Sequence, residues 1–328
     1  MEQPSHGDTR QTGETPSFAL LTPAHNEGEH LPELVESIVA QERRPDCWVI
    51  VNDASTDNTS EVAHQAAATH DFIHVLDRTR DGGRRIGYKA EAVNAGYEMA
   101  LSKCPGMGFV ASTDADLVFP TNTFSFLLDR FAERPRLGVA GGKYSEMVNG
   151  RMREGRRSPT HVPGALQVFR REVFDAIGGY QLLTHGAIDV VSTANARMLG
   201  WETRSFDEIH FFHRRQMGTS GDLKPVVALY RQGVRDYSVG TSAWFEMAKC
   251  IRRTFVSPPV IGTLSRLAGY TVARLKRVPT NVPPDVARFI RAEQLERLSP
   301  SRLWSSNGAA ETKDQTFAAD LPVVEEKA

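Results

Sequence analysis

Two carboxylates, Asp114 and Asp116, lie in an apolar run over residues 108–120. A short β-rich run that stops in alternate Asp residues sets both near the carboxyl end of a strand, where a divalent cation carrying a diphosphate could bridge them. The chemistry this suggests is that of a nucleotide-activated sugar. Asp-x-Asp also occurs by chance in loops and turns, so the neighbouring segments decide what the pair means. Residues 22–27, with Pro23, Ala24, Asn26 and Glu27, join a first apolar run to an amphipathic segment, and Asp53 ends a second run. A carboxylate at that point could accept hydrogen bonds from a base or a ribose. Alternatively, Asn26, Glu27 and Asp53 are helix-cap and turn residues.

These side chains converge only if the apolar runs are strands of one sheet. Residues 18–22, 48–51, 73–76 and the run ending at Asp114 have the length and composition of short buried strands. Between them Leu31, Leu34, Val35, Ile38 and Val39 recur with helical spacing, and a second helix is expected from Asn58 with Glu61 as a capping box. A third helix carries Ala90, Val93, Tyr97, Ala100 and Leu101. Such alternation builds an α/β domain with a mostly parallel central sheet, and ligands of open sheets bind at the carboxyl ends of the strands. The basic loop over 78–87 is either a mobile cover contacting diphosphate or a solvated hairpin. Strands are expected at 138–144 and 166–169, a turn at Gly178-Gly179 and a helix over 188–199. Beyond Met217 the chain reads as helices broken by Gly and by Pro258-Pro259, Pro279 and Pro283-Pro284. The expected organisation is a disordered arm over 1–16, a catalytic unit over 17–217, a basic helical extension over 218–304 and a disordered acidic tail over 305–328.

With 328 residues, 40% hydrophobic and 24% charged, the chain can bury a full core, and a net charge of −1 argues against a nucleic-acid binder working through a global basic field. Cys47, Cys104 and Cys250 are odd in number and lack metal-ligand spacing, which fits a reducing, cytoplasmic setting. The polar amino-terminal arm does not read as a signal peptide, and no run reaches the roughly 18 apolar residues of a spanning helix.

Taken in order, these blocks resemble glycosyltransferase family 2, whose members have the GT-A fold. The resemblance runs through residues 20–27, 49–58, 89–96 and 113–116, and more loosely through 162–171, 177–180 and 189–200. It implies that Pro23, Ala24, Asn26, Glu27, Asp53, Lys89, Asn94 and Asp114 line a nucleotide-sugar pocket. By residue type, Arg214 and Arg215 could offer fixed positive charge to phosphate or be ordinary surface arginines. The resemblance further implies that Asp114 and Asp116 hold Mn²⁺ or Mg²⁺, the second aspartate being the more direct ligand. A histidine near His213 completes the metal site in some GT-A enzymes; a packed histidine is the alternative. Asp189, eleven residues before Gly200, matches the position of the general base. Ile188 stands where the family commonly has Glu and Asn195 where it often has Arg, so a helix N-cap role for Asp189 stays open.

The implied reaction suits these groups. A nucleoside diphosphate leaves poorly until its developing charge is neutralised, and an acceptor hydroxyl needs a carboxylate to take its proton. A nucleotidyltransferase of the same fold would carry a glycine- and lysine-rich loop after the first strand, and a dinucleotide oxidoreductase a Gly-x-Gly-x-x-Gly; neither is present. A non-catalytic sugar-nucleotide scaffold is the third reading. Residues 249–303 hold eleven Lys/Arg against three acids, interleaved with Phe255, Ile261 and Leu264. That pattern reads as a helical unit lying peripherally on an anionic membrane, at the inner face of the cell membrane, or as a basic cap on the catalytic domain. The membrane reading suits a lipid-linked saccharide acceptor in surface-polysaccharide synthesis, with inversion at the anomeric carbon implied by the resemblance. Homodimerisation is left open.

Overall fold

The alternation of strand and helix over the first half folds as the pattern predicts. In the computed structural model, which describes residues 16–79, 87–148, 151–154, 160–214, 225–255 and 258–298, the chain begins β1 (Phe18–Ala24), α1 (Leu31–Val39), β2 (Cys47–Asp53), α2 (Thr59–Thr69), β3 (Ile73–Arg78), α3 (Tyr88–Lys103) and β4 (Phe109–Thr113). It continues with β5 (Leu117–Val118), α4 (Thr123–Glu133), β6 (Leu137–Val148), β7 (Arg151–Glu154), β8 (Leu166–Arg170), α5 (Arg171–Ala176), α6 (Ile188–Met198) and β9 (Glu202–His213). Among the described residues four helices follow: α7 (Pro225–Ser238), α8 (Ala243–Arg252), α9 (Ile261–Leu275) and α10 (Pro284–Arg297). Among the described residues the strands form one mixed sheet in the order β3-β2-β1-β4-β8-β6-β9-β5, with β7 paired to β6. The first four are mutually parallel, whereas β8 runs antiparallel to β4.

Strands β1 and β2 are apolar on both faces because both faces are covered. Phe18 and Leu20 pack with Leu34, Ile38, Phe124 and Leu127 on one side; Ala19 and Leu21 pack with Val93, Tyr97 and Phe174 on the other. This sandwich fixes where the strands end, and so where Ala24, Asp53 and Asp114 emerge.

The expected capping box at Asn58 and Glu61 is not what starts α2. Asn58 occupies the cap position without a side-chain cap bond, and the Asp57 carboxylate instead accepts from the Thr59 amide (3.0 Å) and hydroxyl (2.5 Å) and from the Gly28 amide (3.1 Å). Burial works against ionising Asp57, yet these hydrogen bonds hold its carboxyl below its usual range. A charged acceptor binds orphan amides more strongly than a neutral amide oxygen does, which is why Asp57 takes the role.

The carboxyl-terminal helices are tied to the sheet domain. Leu183, Val191 and Ala194 share a core with Val239, Val282, Val286 and Ile290, and Arg197 of α6 holds Glu293 of α10 through two hydrogen bonds of 2.7 and 2.8 Å. Helices α7 and α9 touch backbone to backbone: a Cβ on Gly269 would lie 2.1 Å from the Tyr230 carbonyl oxygen, so glycine is required there. The basic count over 249–303 overstates the open charge. Arg266 is buried against Asp236 and Glu246, Lys249 pairs with Asp236 at 2.8 Å, and Arg291 donates to the Gly240 carbonyl. Arg302, the basic residues 80–85 and both terminal segments fall outside the described residues.

Candidate functional site

The site is assembled at the carboxyl ends of β1, β2 and β4. The loop after β1 is held to the loop after β2 by short bonds: the Asn26 side-chain oxygen accepts from the Thr56 amide at 2.8 Å, the Glu27 amide donates to the Thr59 hydroxyl at 2.8 Å, and a His25 ring nitrogen meets the Asp53 carbonyl at 2.8 Å. Asn26 adopts a φ of +56°, a left-handed conformation asparagine tolerates better than most residues. Asp53 is nearly fully buried, and Arg78 donates to its carboxylate at 3.1 Å while also reaching Glu91. Pro23 and Ala24 are the last two residues of β1.

After β4 the chain turns sharply. The Asp114 amide donates to the Ala165 carbonyl, and Lys89, at the start of α3, bonds both the Asp114 carboxylate and the Gly164 carbonyl (3.0 Å). Strand β5 then pairs with β9 so that Leu117 faces His213, and the Arg214 amide donates to the Asp116 carbonyl. This register carries His213 across almost a hundred residues to the aspartates. One ligand atom from each of Asp114, Asp116 and His213 lies within 4.8 Å of the others, with Nδ1 of His213 3.4 Å from the Asp116 carboxylate. Nδ1 is buried and, among the described residues, has no hydrogen-bond partner. An orphaned imidazole nitrogen facing two carboxylates costs free energy unless a proton or a cation serves it, so this donor set fits a divalent ion such as Mn²⁺ or Mg²⁺.

Asp189 is the second residue of α6, behind a cap position filled by Ala187, and no side chain caps that helix. The N-cap alternative for Asp189 is therefore not the arrangement present. Its backbone carbonyl accepts from the Thr193 hydroxyl at 2.7 Å. A Cβ added to Gly164 would lie 3.1 Å from the Asp189 Cβ, so Gly164 stands between Lys89, with its Asp114 partner, and Asp189. On the side chain itself, Nε2 of His161 approaches Oδ2 at 3.5 Å. Gly164 falls in the segment 162–171 of the resemblance, whereas His161, just before it in a loop without periodicity, does not stand out in the sequence.

Two residues expected in the pocket have protein partners for their side chains. The Asn94 amide donates to the Tyr180 carbonyl at 2.8 Å and accepts from the Tyr180 amide at 2.9 Å, bracing the Gly178-Gly179 turn. Arg214 pairs with Glu33 at 2.5 Å on an exposed rim. The loop cover over 78–87 and Arg215 lie largely outside the described residues.

A family model for glycosyl transferase family 2 matches residues 19–191. The poly-β-1,6-N-acetyl-D-glucosamine synthase of Staphylococcus epidermidis is 28% identical over 125 residues, which cover 38% of this chain and 28% of the synthase. The same enzyme of Staphylococcus aureus strain COL is 27% identical over 129 residues, 39% of this chain and 29% of its own length. The chain thus spans under a third of these relatives. Among solved structures, the mannosyltransferase PcManGT from Pyrobaculum calidifontis, in complex with GDP-Man and Mn²⁺, superposes with a TM-score of 0.54 at 18% identity over 90% of this chain and 84% of that one. TarS residues 1–349 from S. aureus, in complex with UDP-GlcNAc, gives 0.55 at 16% identity over 89% and 92%. Both likenesses place the fold in the GT-A class.

Proposed function

The chain belongs to glycosyl transferase family 2, and on that premise we propose that it transfers a sugar from a nucleoside-diphosphate donor to an acceptor hydroxyl with inversion. The observation that carries this reading is the convergence of Asp114, Asp116 and the buried His213 Nδ1 at the strand ends, beside a separate carboxylate, Asp189. Asp53 and the loop over 23–27 bind the base and ribose side of the donor. Lys89 meets the diphosphate, and Asp114, Asp116 and His213 hold the divalent ion. When bound, that ion supplies positive charge to the leaving diphosphate. Asp189 accepts the acceptor proton as the new C–O bond forms and the sugar–phosphate bond breaks. UDP-GlcNAc and GDP-Man, the ligands named for the two structural neighbours, set the donor class to test first. Incubation with a panel of UDP-, GDP- and dTDP-sugars and Mn²⁺ is expected to release free nucleoside diphosphate from one of them, with water as acceptor. Release from none, beside unaltered binding, would favour a sugar-nucleotide scaffold.

The acceptor in this reading is a lipid-linked saccharide, reached from the inner face of the cell membrane. No helix among the described residues is long and apolar enough to cross a membrane. Instead α8, the turn after it and the start of α9 expose Trp244, Met247, Ile251, Phe255, Ile261 and Leu264, with Trp244 73% and Phe255 90% exposed. Glu246, the one acid between residues 243 and 280, is fully buried, whereas Arg252, Arg274, Lys276 and Arg277 are exposed. An apolar stripe flanked by cations alone matches an anionic bilayer, and it would repel a second copy of itself. Vesicles containing anionic lipid are expected to float the protein and to release it as salt rises, because such attraction is screened over about 10 Å at 0.1 M salt. Charge reversal at Arg274, Lys276 and Arg277 should weaken flotation and leave donor hydrolysis intact. Equal flotation with neutral and anionic vesicles would return these helices to the role of a cap and favour a soluble acceptor.

A further inference from the structure

The loop over 160–165 is fastened at nearly every carbonyl. Thr160 accepts from Thr203 (2.7 Å) and Arg197 (3.0 Å), His161 from Ser205 (2.8 Å), Val162 from Gln167 (3.0 Å) and Gly164 from Lys89 (3.0 Å). A loop held at so many points has little freedom to move its one imidazole. That imidazole, on His161, sets Nε2 3.5 Å from Oδ2 of Asp189. Resting on the reading of Asp189 as the base, we propose that His161 is its positioning residue: a neutral imidazole whose Nε2–H holds one carboxylate oxygen and leaves the other to take the acceptor proton.

The charge state follows from the surroundings. Burial is the largest influence and lowers the pKa of His161; Asp189 of α6 opposes it, while Arg197 of α6, Arg235 of α7 and Arg297 of α10 reinforce it. The net direction is downward, so the ring is neutral near pH 7. A neutral donor orients a carboxylate without cancelling its charge. A lysine or arginine in the same place would stabilise the carboxylate and weaken it as a base. The carboxylate in turn selects the tautomer protonated on Nε2. A 3.5 Å separation without acceptor is consistent with a contact that tightens when the acceptor is bound.

The first test needs no substrate. Nitrogen NMR of the full chain is expected to show the Nε2–H tautomer for His161, titrating below the ordinary value of about 6.5, and titrating lower still in Asp189→Asn, where the opposing charge is gone. The second uses hydrolysis of whichever nucleotide sugar of the panel is turned over. His161→Ala should lower kcat about 10- to 100-fold at unchanged donor KM, as expected of a lost positioning contact. His161→Gln, which keeps an N–H at similar reach, should recover part of the loss. The parent's acidic limb in kcat should include the His161 titration, since an imidazolium beside Asp189 weakens the base, and the His161→Gln limb should move to lower pH.

An Nδ1–H tautomer, or a titration indifferent to residue 189, overturns the proposal. So does a parent-like His161→Ala beside a disabled Asp189→Asn, which leaves the base assignment standing. Parent-like turnover in Asp189→Asn removes the base assignment and this proposal with it.

Discussion

Asp189→Asn is expected to bind donor as the parent does and to turn it over about 10²–10⁴-fold more slowly, the usual loss when a general base is removed. The substitution keeps size and shape. It also keeps α6 intact, because the Asp189 side chain caps nothing and the contact with Thr193 is made by its backbone carbonyl. The amide lacks a basic lone pair able to take the acceptor proton, so the loss falls on kcat. Steady-state hydrolysis together with calorimetry of the nucleotide checks both halves. Turnover near the parent rate would make Asp189 a bystander, and the base would have to be sought among other groups around the acceptor.

Asp116→Ala acts on the other half of the site. It removes one of three ligand atoms that lie within 4.8 Å of each other, while its backbone carbonyl still accepts from the Arg214 amide, so the β5–β9 junction survives. Metal-dependent nucleotide affinity is expected to fall by more than the roughly 10- to 100-fold that loss of a mere outer-shell partner costs. Unfolding monitored by heat should meanwhile remain cooperative in the absence of nucleotide.

What the sequence could reveal depended on whether the cause was local. Strands β1, β2 and β4 are apolar runs because both sheet faces are covered, and such runs are visible without any knowledge of pairing. Strand β5 has two residues and β7 is polar, so neither carries a pattern. Strand β9 changes register against β6 between Gly142 and Lys143, which shifts the parity of its buried residues and blurs the alternation. The pairing of Asp114 and Asp116 is a property of sequence spacing. The arrival of His213 beside them is a property of strand register, and that of His161 beside Asp189 is a property of a loop anchored by Thr203, Ser205 and Arg197.

Asn94 and Arg214 illustrate the converse. Ligand contacts were expected of both, and in the fold each reaches a protein partner that the sequence does not announce, the Tyr180 backbone and Glu33. The carboxyl-terminal basic count failed in the same way, since a formal charge does not reveal that Arg266 faces Asp236 and Glu246 in the interior.

The most direct test of the donor site is calorimetric titration of the full chain with UDP and with GDP, in Mn²⁺ and again with chelator in excess. One nucleotide is expected to bind with Mn²⁺ and to lose its affinity on chelation in the parent, with no further loss in Asp116→Ala, whose affinity is already low. Equal affinity with and without chelator in the parent would contradict a metal held by Asp114, Asp116 and His213.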